Sequence, residues 1–142
     1  MAKEIKTSIV IQATPEKIWT ILTDFDNYPN WNPFITYVNG IVEKGSKITV
    51  NIVPSGSKGM TFKPMVISRI ENRGLIWKGR VLFNGLFDGM HKFELVDNGN
   101  GTTTFIQSEF FTGIFVVFFN TKKTKEGFEK MNVKLKELAE RM

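Results

Sequence analysis

The residues able to do chemistry in this chain are few, and they gather on two neighbouring segments. The chain has one histidine, His91, and no cysteine. Disulfides, thiolate catalysis and Cys-ligated zinc are excluded, and a transition-metal site made of protein ligands alone would lack donors. In the run 87–97 strand alternation sets Phe87, Gly89, His91, Phe93 and Leu95 on one face, against Asp88, Lys92 and Glu94. In the run 102–111 the same parity gathers Phe105, Gln107, Glu109 and Phe111, against Thr104, Ile106, Ser108 and Phe110. Asn98-Gly99-Asn100-Gly101 joins the runs, and both residue types tolerate positive φ, so a hairpin is expected. Counting outward from a turn centred between 99 and 100 sets His91 roughly opposite Ser108 and near both Gln107 and Glu109.

An imidazole, an amide and a carboxyl among phenylalanines support two readings. In one, His91 and Glu109 are a buried polar pair that satisfies itself, because burying a charge is expensive unless it is paired. In the other they form a polar patch that orients a ligand's carbonyl, hydroxyl or carboxylate. Acid–base catalysis by His91 and Glu109 is a narrower form of the second reading, since a carboxyl in an apolar site beside an imidazole suits proton transfer. Other chemistry fails on inspection. Gly40 to Lys47 faintly resembles a phosphate loop, but Lys and Ser stand in the wrong order and no helix follows. No nucleophile elbow surrounds any serine.

Positioning these groups requires a sheet and something to pack on it. Ile114, Val117, Thr121, Thr124, Phe128, Met131, Leu135, Leu138 and Met142 follow a 3, 4, 3, 4 spacing, the seam of one long amphipathic helix. Such a helix is on the order of 40 Å long. Before it, period-two runs at 4–12, 36–43, 46–54, 60–71, 74–83, 87–97 and 102–111 predict seven strands, most joined by short turns as an antiparallel meander. Thr14 as N-cap, Pro15 at the first helical position and Glu16 near the positive helix end predict a short helix after the first strand. A turn-rich stretch, Asp26 to Phe34, follows it. The expected class is α+β, a seven-stranded sheet curling round a C-terminal helix, with short helices closing one end. A curved sheet cannot touch a straight helix everywhere, so apolar space is expected between them. Phe128, Met131 and Leu135 would line it from the helix. Trp77 shares parity with Leu75, Gly79 and Val81, and Gly79 beside that ring marks either a bend, which we favour, or room for a ligand. Trp19 and Trp31 read as packing at the closed end.

Bulk properties agree with a container. A chain of 142 residues, 42% hydrophobic and 23% charged, reads as one domain spanning 1–142. Thirteen phenylalanines, rings without a polar handle, suit a dry interior or an apolar pocket. The net charge of +5 is spread among acids with no block of like charge, so a nucleic-acid partner is not expected. Met1 to Val10 lacks the apolar segment of a signal peptide, and the longest apolar run, Phe110 to Phe119, is too short to span a bilayer. A cytoplasmic protein, without stable membrane insertion, is the expectation.

Longer motifs carry a family resemblance. Ala13 to Trp19, Leu22 to Pro29 and Trp31-Asn32-Pro33-Phe34 resemble the N-terminal signature of the START-like, or Bet v 1-like (SRPBCC), superfamily, in particular its bacterial polyketide cyclase/dehydrase-like branch. Trp77-Lys78-Gly79, His91-Lys92-Phe93, Glu109 to Gly113 and Thr124 to Glu140 are similar to the same branch. The resemblance implies a helix-grip fold around a hydrophobic cavity, with relatives that bind lipids, sterols, polyketides, plant hormones or quinones. The leading expectation is binding, transport or sequestration of a small hydrophobic molecule such as a lipid, polyketide or quinone. Expected ligand-binding residues are Trp77, Phe87, His91, Phe93, Phe105 and Gln107, with Glu109, Phe111, Phe128, Met131 and Leu135. No metal or cofactor is expected. The alternative is a protein-interaction module of the chaperone-activator or ribosome-associated type, working through the outer sheet face. Third comes a cofactor-independent cyclase or dehydratase using His91 and Glu109.

Overall fold

In the computed structural model, residues 2–56, 58–80, 88–113 and 121–141 are described. Alternation of buried and exposed positions makes β1 (Ala2–Ile11), whose Ile5, Thr7 and Ile11 point inward. Thr14 then caps α1 (Pro15–Thr23) by accepting from the Lys17 amide at 3.3 Å, with Pro15 at the first helical turn as expected. A 3-10 turn covers Phe25–Asn30. Eight strands are seen among the described residues. After β1 come β2 (Ile35–Asn39), β3 (Thr49–Ile52), β4 (Met60–Phe62), β5 (Met65–Ile70), β6 (Gly74–Arg80), β7 (Asp88–Asp97) and β8 (Thr103–Thr112). The chain ends in α2 (Thr121–Arg141). The expected helical residues 114–120 and Met142, like strand residues 81–83 and Phe87, lie outside the described residues.

All pairings are antiparallel, in the orders β1-β8-β7-β6-β5 and β2-β3-β4. The run 60–71 is two strands because Pro64 has no N–H for the ladder. The break is a bend, and the two sheets stay tied across it. Ile48 N donates to Pro64 O at 2.9 Å, Val66 N to Ser46 O at 2.9 Å and Gly45 N to Val66 O at 2.8 Å. The outcome is the helix-grip arrangement, a curved antiparallel sheet around a long C-terminal helix.

The β7–β8 register corrects the expected one by a single residue. His91 pairs with Glu109 and Phe93 with Gln107. Asn98 N donates to Thr102 O at 3.0 Å, and Gly99 and Gly101 take φ of 80° and 85°, so the loop is centred on Asn100. That half-residue displacement of the centre moves every partner by one.

The inner face of α2 buries Thr124, Gly127, Phe128, Met131, Asn132, Leu135 and Ala139 against the sheet and α1. Its far end is clasped to β1, where the Gln12 N–H donates to Glu140 Oε2 at 2.7 Å. That hydrogen bond, with help from Lys136, holds the Glu140 carboxyl below its usual range. Under α1, Tyr28 is fully buried and its hydroxyl donates to Leu22 O at 2.6 Å. Burial, and secondarily the Asp24 charge, push the Tyr28 phenol far above its usual range. In an unfolded chain it ionises near pH ~10. The contribution of its neutral form is therefore complete below that pH and is lost above it, by about 1.4 kcal/mol per pH unit. We expect Tyr28→Phe to cost about 1 kcal/mol at neutral pH, where the Leu22 carbonyl loses its donor. The deficit should shrink and reverse above pH ~11, which urea denaturation of both proteins across that range would show.

Candidate functional site

Neighbouring strands bring the three expected polar groups together. His91 stands at the middle of β7, only 1% exposed, and Glu109 and Gln107 project beside it from β8. His91 Nδ1 lies 2.6 Å from Glu109 Oε1, and Nε2 lies 3.0 Å from Gln107 Oε1. Trp77, from β6, stacks on the imidazole with centroids 5.2 Å apart and planes 16° from parallel. The rings of Phe93 and Phe128 meet its other sides edge-on.

Behind these groups the network runs to α2 and β1, and it has a fixed direction. The Gln107 backbone carbonyl can only accept, and it takes the Thr7 hydroxyl hydrogen at 3.1 Å. With that hydrogen committed, Thr7 Oγ1 accepts from Asn132 Nδ2 at 2.9 Å. Asn132 Oδ1 then accepts from Gln107 Nε2 at 2.9 Å, and the Phe128 carbonyl takes a longer contact from the same amide at 3.4 Å. Two backbone carbonyls thus set the amide so that its oxygen faces His91. It follows that Nε2 of His91 carries a hydrogen. Against Glu109 only Nδ1 remains, and lone pairs cannot face each other at 2.6 Å, so one proton lies between imidazole and carboxyl.

In front of Glu109 lies a pocket of about 110 Å³. Trp77, Gly79, Gly89, Glu109 and Phe111 line it from the five-stranded part of the sheet, and Phe34, Val50, Ile52, Met60 and Phe62 from β2–β4 and the segment before them. Pro54, Pro64 and Thr124 complete the wall. Glu109 is the ionisable group among these residues. Gly79 and Gly89 sit opposite each other on β6 and β7. A Cβ on Gly89 would overlap Glu109 Oε2, and one on Gly79 would lie 3.3 Å from Pro64. The paired glycines hollow the floor, and Gly79 therefore borders both the bend and the pocket. Asn32 sets the ceiling, its side-chain oxygen accepting from the Phe34 and Ile35 amides at 3.0 and 2.8 Å.

Trp77, Glu109 and Phe111 are thus at the pocket surface, and His91 and Gln107 form the layer behind Glu109. Phe93, Phe105, Phe128, Met131 and Leu135 are each 0% exposed and belong to the packed core. From α2, Thr124 is the residue that reaches the pocket among those described. Phe87 lies outside the described residues. Sequence reasoning did not single out Thr7, Asn132, Gly89 or the β3–β4 wall as site residues. Asn132 could have been noticed four residues after Phe128, a polar side chain on the buried stripe. A second hollow, about 350 Å³, lies between β1 and α2 and is lined by Lys6, Ser8, Lys125 and Glu129 among others. It is larger but its lining is as polar as it is apolar, with Thr7 and Asn132 at its edge, and it holds neither His91 nor Glu109.

Solved structures share this architecture at low identity. An aromatase/cyclase (Zhui) from a Streptomyces species is similar with a TM-score of 0.79 at 11% identity, covering 99% of this chain and 95% of that one. A major latex-like protein from Panax ginseng reaches 0.80 at 11% identity, with 98% of both chains covered. A START superfamily protein from Mycobacterium smegmatis gives 0.74 at 20% identity, with 97% of both covered. At such identities the likeness is one of fold. No curated protein matches the sequence. The family model for polyketide cyclase/dehydrase and lipid transport proteins, however, matches residues 2–142, and the chain belongs to that family.

Proposed function

We propose that the protein binds a small hydrophobic molecule, of the lipid, polyketide or quinone kind, with one end seated at Glu109. The observation that carries this reading is an apolar pocket whose one ionisable lining group, among the described residues, is Glu109, backed by a fully hydrogen-bonded network. Pockets of this make-up, mostly apolar with a few convergent polar groups, orient ligands. Its free space is smaller than the ~150 Å³ that accommodates benzene, so it suits the end of a ligand. The remainder would pass the rim at Met60, which is 55% exposed. Transport or sequestration follows from such a seat without further machinery. Were a reaction catalysed, Glu109 would be the group exchanging the proton, because His91 stays behind it.

Native mass spectrometry of protein gently recovered from its own host tests the reading. The expected result is a small apolar mass that solvent extraction removes. Absence of any bound mass, together with no saturable affinity for apolar compounds of several chain lengths, would refute it.

A further inference from the structure

Resting on the pocket reading above, we infer the polar group that the ligand carries: a neutral hydroxyl, alcoholic or phenolic, donated to Glu109 Oε2. The proton between Glu109 and His91 can be drawn on nitrogen, giving carboxylate and imidazolium, or on oxygen, giving acid and imidazole. Both drawings leave the pair without net charge, and both leave Oε2 without a hydrogen. Oε2 is therefore an acceptor in either case.

This atom is also the one turned toward the pocket. The Glu109 side chain is 14% exposed, whereas His91 is 1% exposed. Glu109 Oε2 lies directly over Gly89, where any side chain would cover it. Glycine at 89 is thus what leaves the acceptor bare at the floor of an apolar chamber.

The chemistry selects among ligand ends. A carbonyl, an ether or a carboxylate would face Oε2 with lone pairs and leave both sides unsatisfied. A carboxylate or an ammonium would also bring an unbalanced charge into a wall where, among the described residues, the Glu109–His91 pair is already neutral. A hydroxyl gives Oε2 its missing donor and adds no charge. The Thr124 hydroxyl, also in the wall, can serve the ligand oxygen as a second partner.

A matched set of amphiphiles with the same chain length tests this: octanol, methyl heptyl ether, octanoate and octylammonium, titrated at neutral pH and followed by NMR. Octanol should bind about tenfold or more tighter than the ether, and tighter than either ion by at least as much. In Glu109→Leu the octanol preference over the ether should fall to within about twofold. Gly89→Ala, which keeps the carboxyl but whose Cβ displaces Oε2 from the pocket floor, should do the same and guards against a folding defect in the first variant. Glu109→Gln should retain the preference, because the amide then donates to Nδ1 and its oxygen still faces the pocket. Equal binding of octanol and ether by the wild type, or tightest binding of octylammonium or octanoate, would overturn the hydroxyl assignment while leaving the pocket intact. No saturable binding by any of the four would remove the pocket reading, and this inference with it.

Discussion

Gln107→Leu should destabilise the protein by about 3 kcal/mol or more. Leucine matches glutamine in size and would sit well among Phe93, Phe105 and Phe128, so on packing grounds alone the change looks mild. The loss comes from what the amide leaves behind. Gln107 is fully buried and serves His91 Nε2, Asn132 Oδ1 and the Phe128 carbonyl. Removing it strands a donor on fully buried His91 and an acceptor on Asn132, each worth about 1–3 kcal/mol when unpaired, whereas the Phe128 carbonyl keeps its helical partner. Urea denaturation would measure the difference, with Lys92→Ala on the solvent side of β7 as a control expected within about 0.5 kcal/mol of wild type. A loss under about 1 kcal/mol in Gln107→Leu would show that the network does not hold the core together.

Gly127→Ala is the second large effect, and its sign runs against helix propensity. In an exposed helix interior the change would stabilise by about 1 kcal/mol. Here the added Cβ would overlap the Phe34 ring. Phe34 is 1% exposed, lies edge-on to Phe128 at 5.2 Å, and has its backbone pinned by Asn32. The ring cannot move aside cheaply, so overpacking of about 1–3 kcal/mol outweighs the propensity gain. A net loss of up to about 2 kcal/mol is expected. Phe34→Leu should relieve it, so the double variant will be more stable than the sum of the two single changes allows. Additive losses would mean that Phe34 is not the obstacle. Since Phe34 also lines the pocket, Gly127→Ala should weaken ligand binding as well.

Strand parity was enough to read which side chains look inward. It depends only on the two-residue repeat, and His91, Gln107, Glu109, Trp77 and Phe111 all fall on the predicted face. Register depends on where a loop is centred, and Asn98 to Gly101 are compatible with several centres, so counting from the turn sets the partner of His91 one residue away from Glu109. The division of the run 60–71 is legible in Pro64, although the alternation continues on both sides of it. Phe128, Met131 and Leu135 show the limit of helical periodicity. The spacing says that they are buried, but whether they meet the sheet or a void depends on the local distance between helix and sheet. Here the pocket lies toward the Thr124 end. Thr7 and Asn132 were hidden for a different reason. A polar residue on an apolar stripe is readable as a partner only when the other half of its hydrogen bond, 125 residues away in the chain, is known to lie beside it.

If the space in front of Glu109 takes a small apolar molecule, amide-proton NMR during an octanol titration will register it there. Saturable shifts should appear at the amides of Gly79 and Gly89 and at the Trp77 indole, with Lys6 to Ser8 and Lys125 to Glu129 unmoved. Shifts confined to the hollow between β1 and α2, or no saturable shifts at all, would rule out a ligand seat at Glu109.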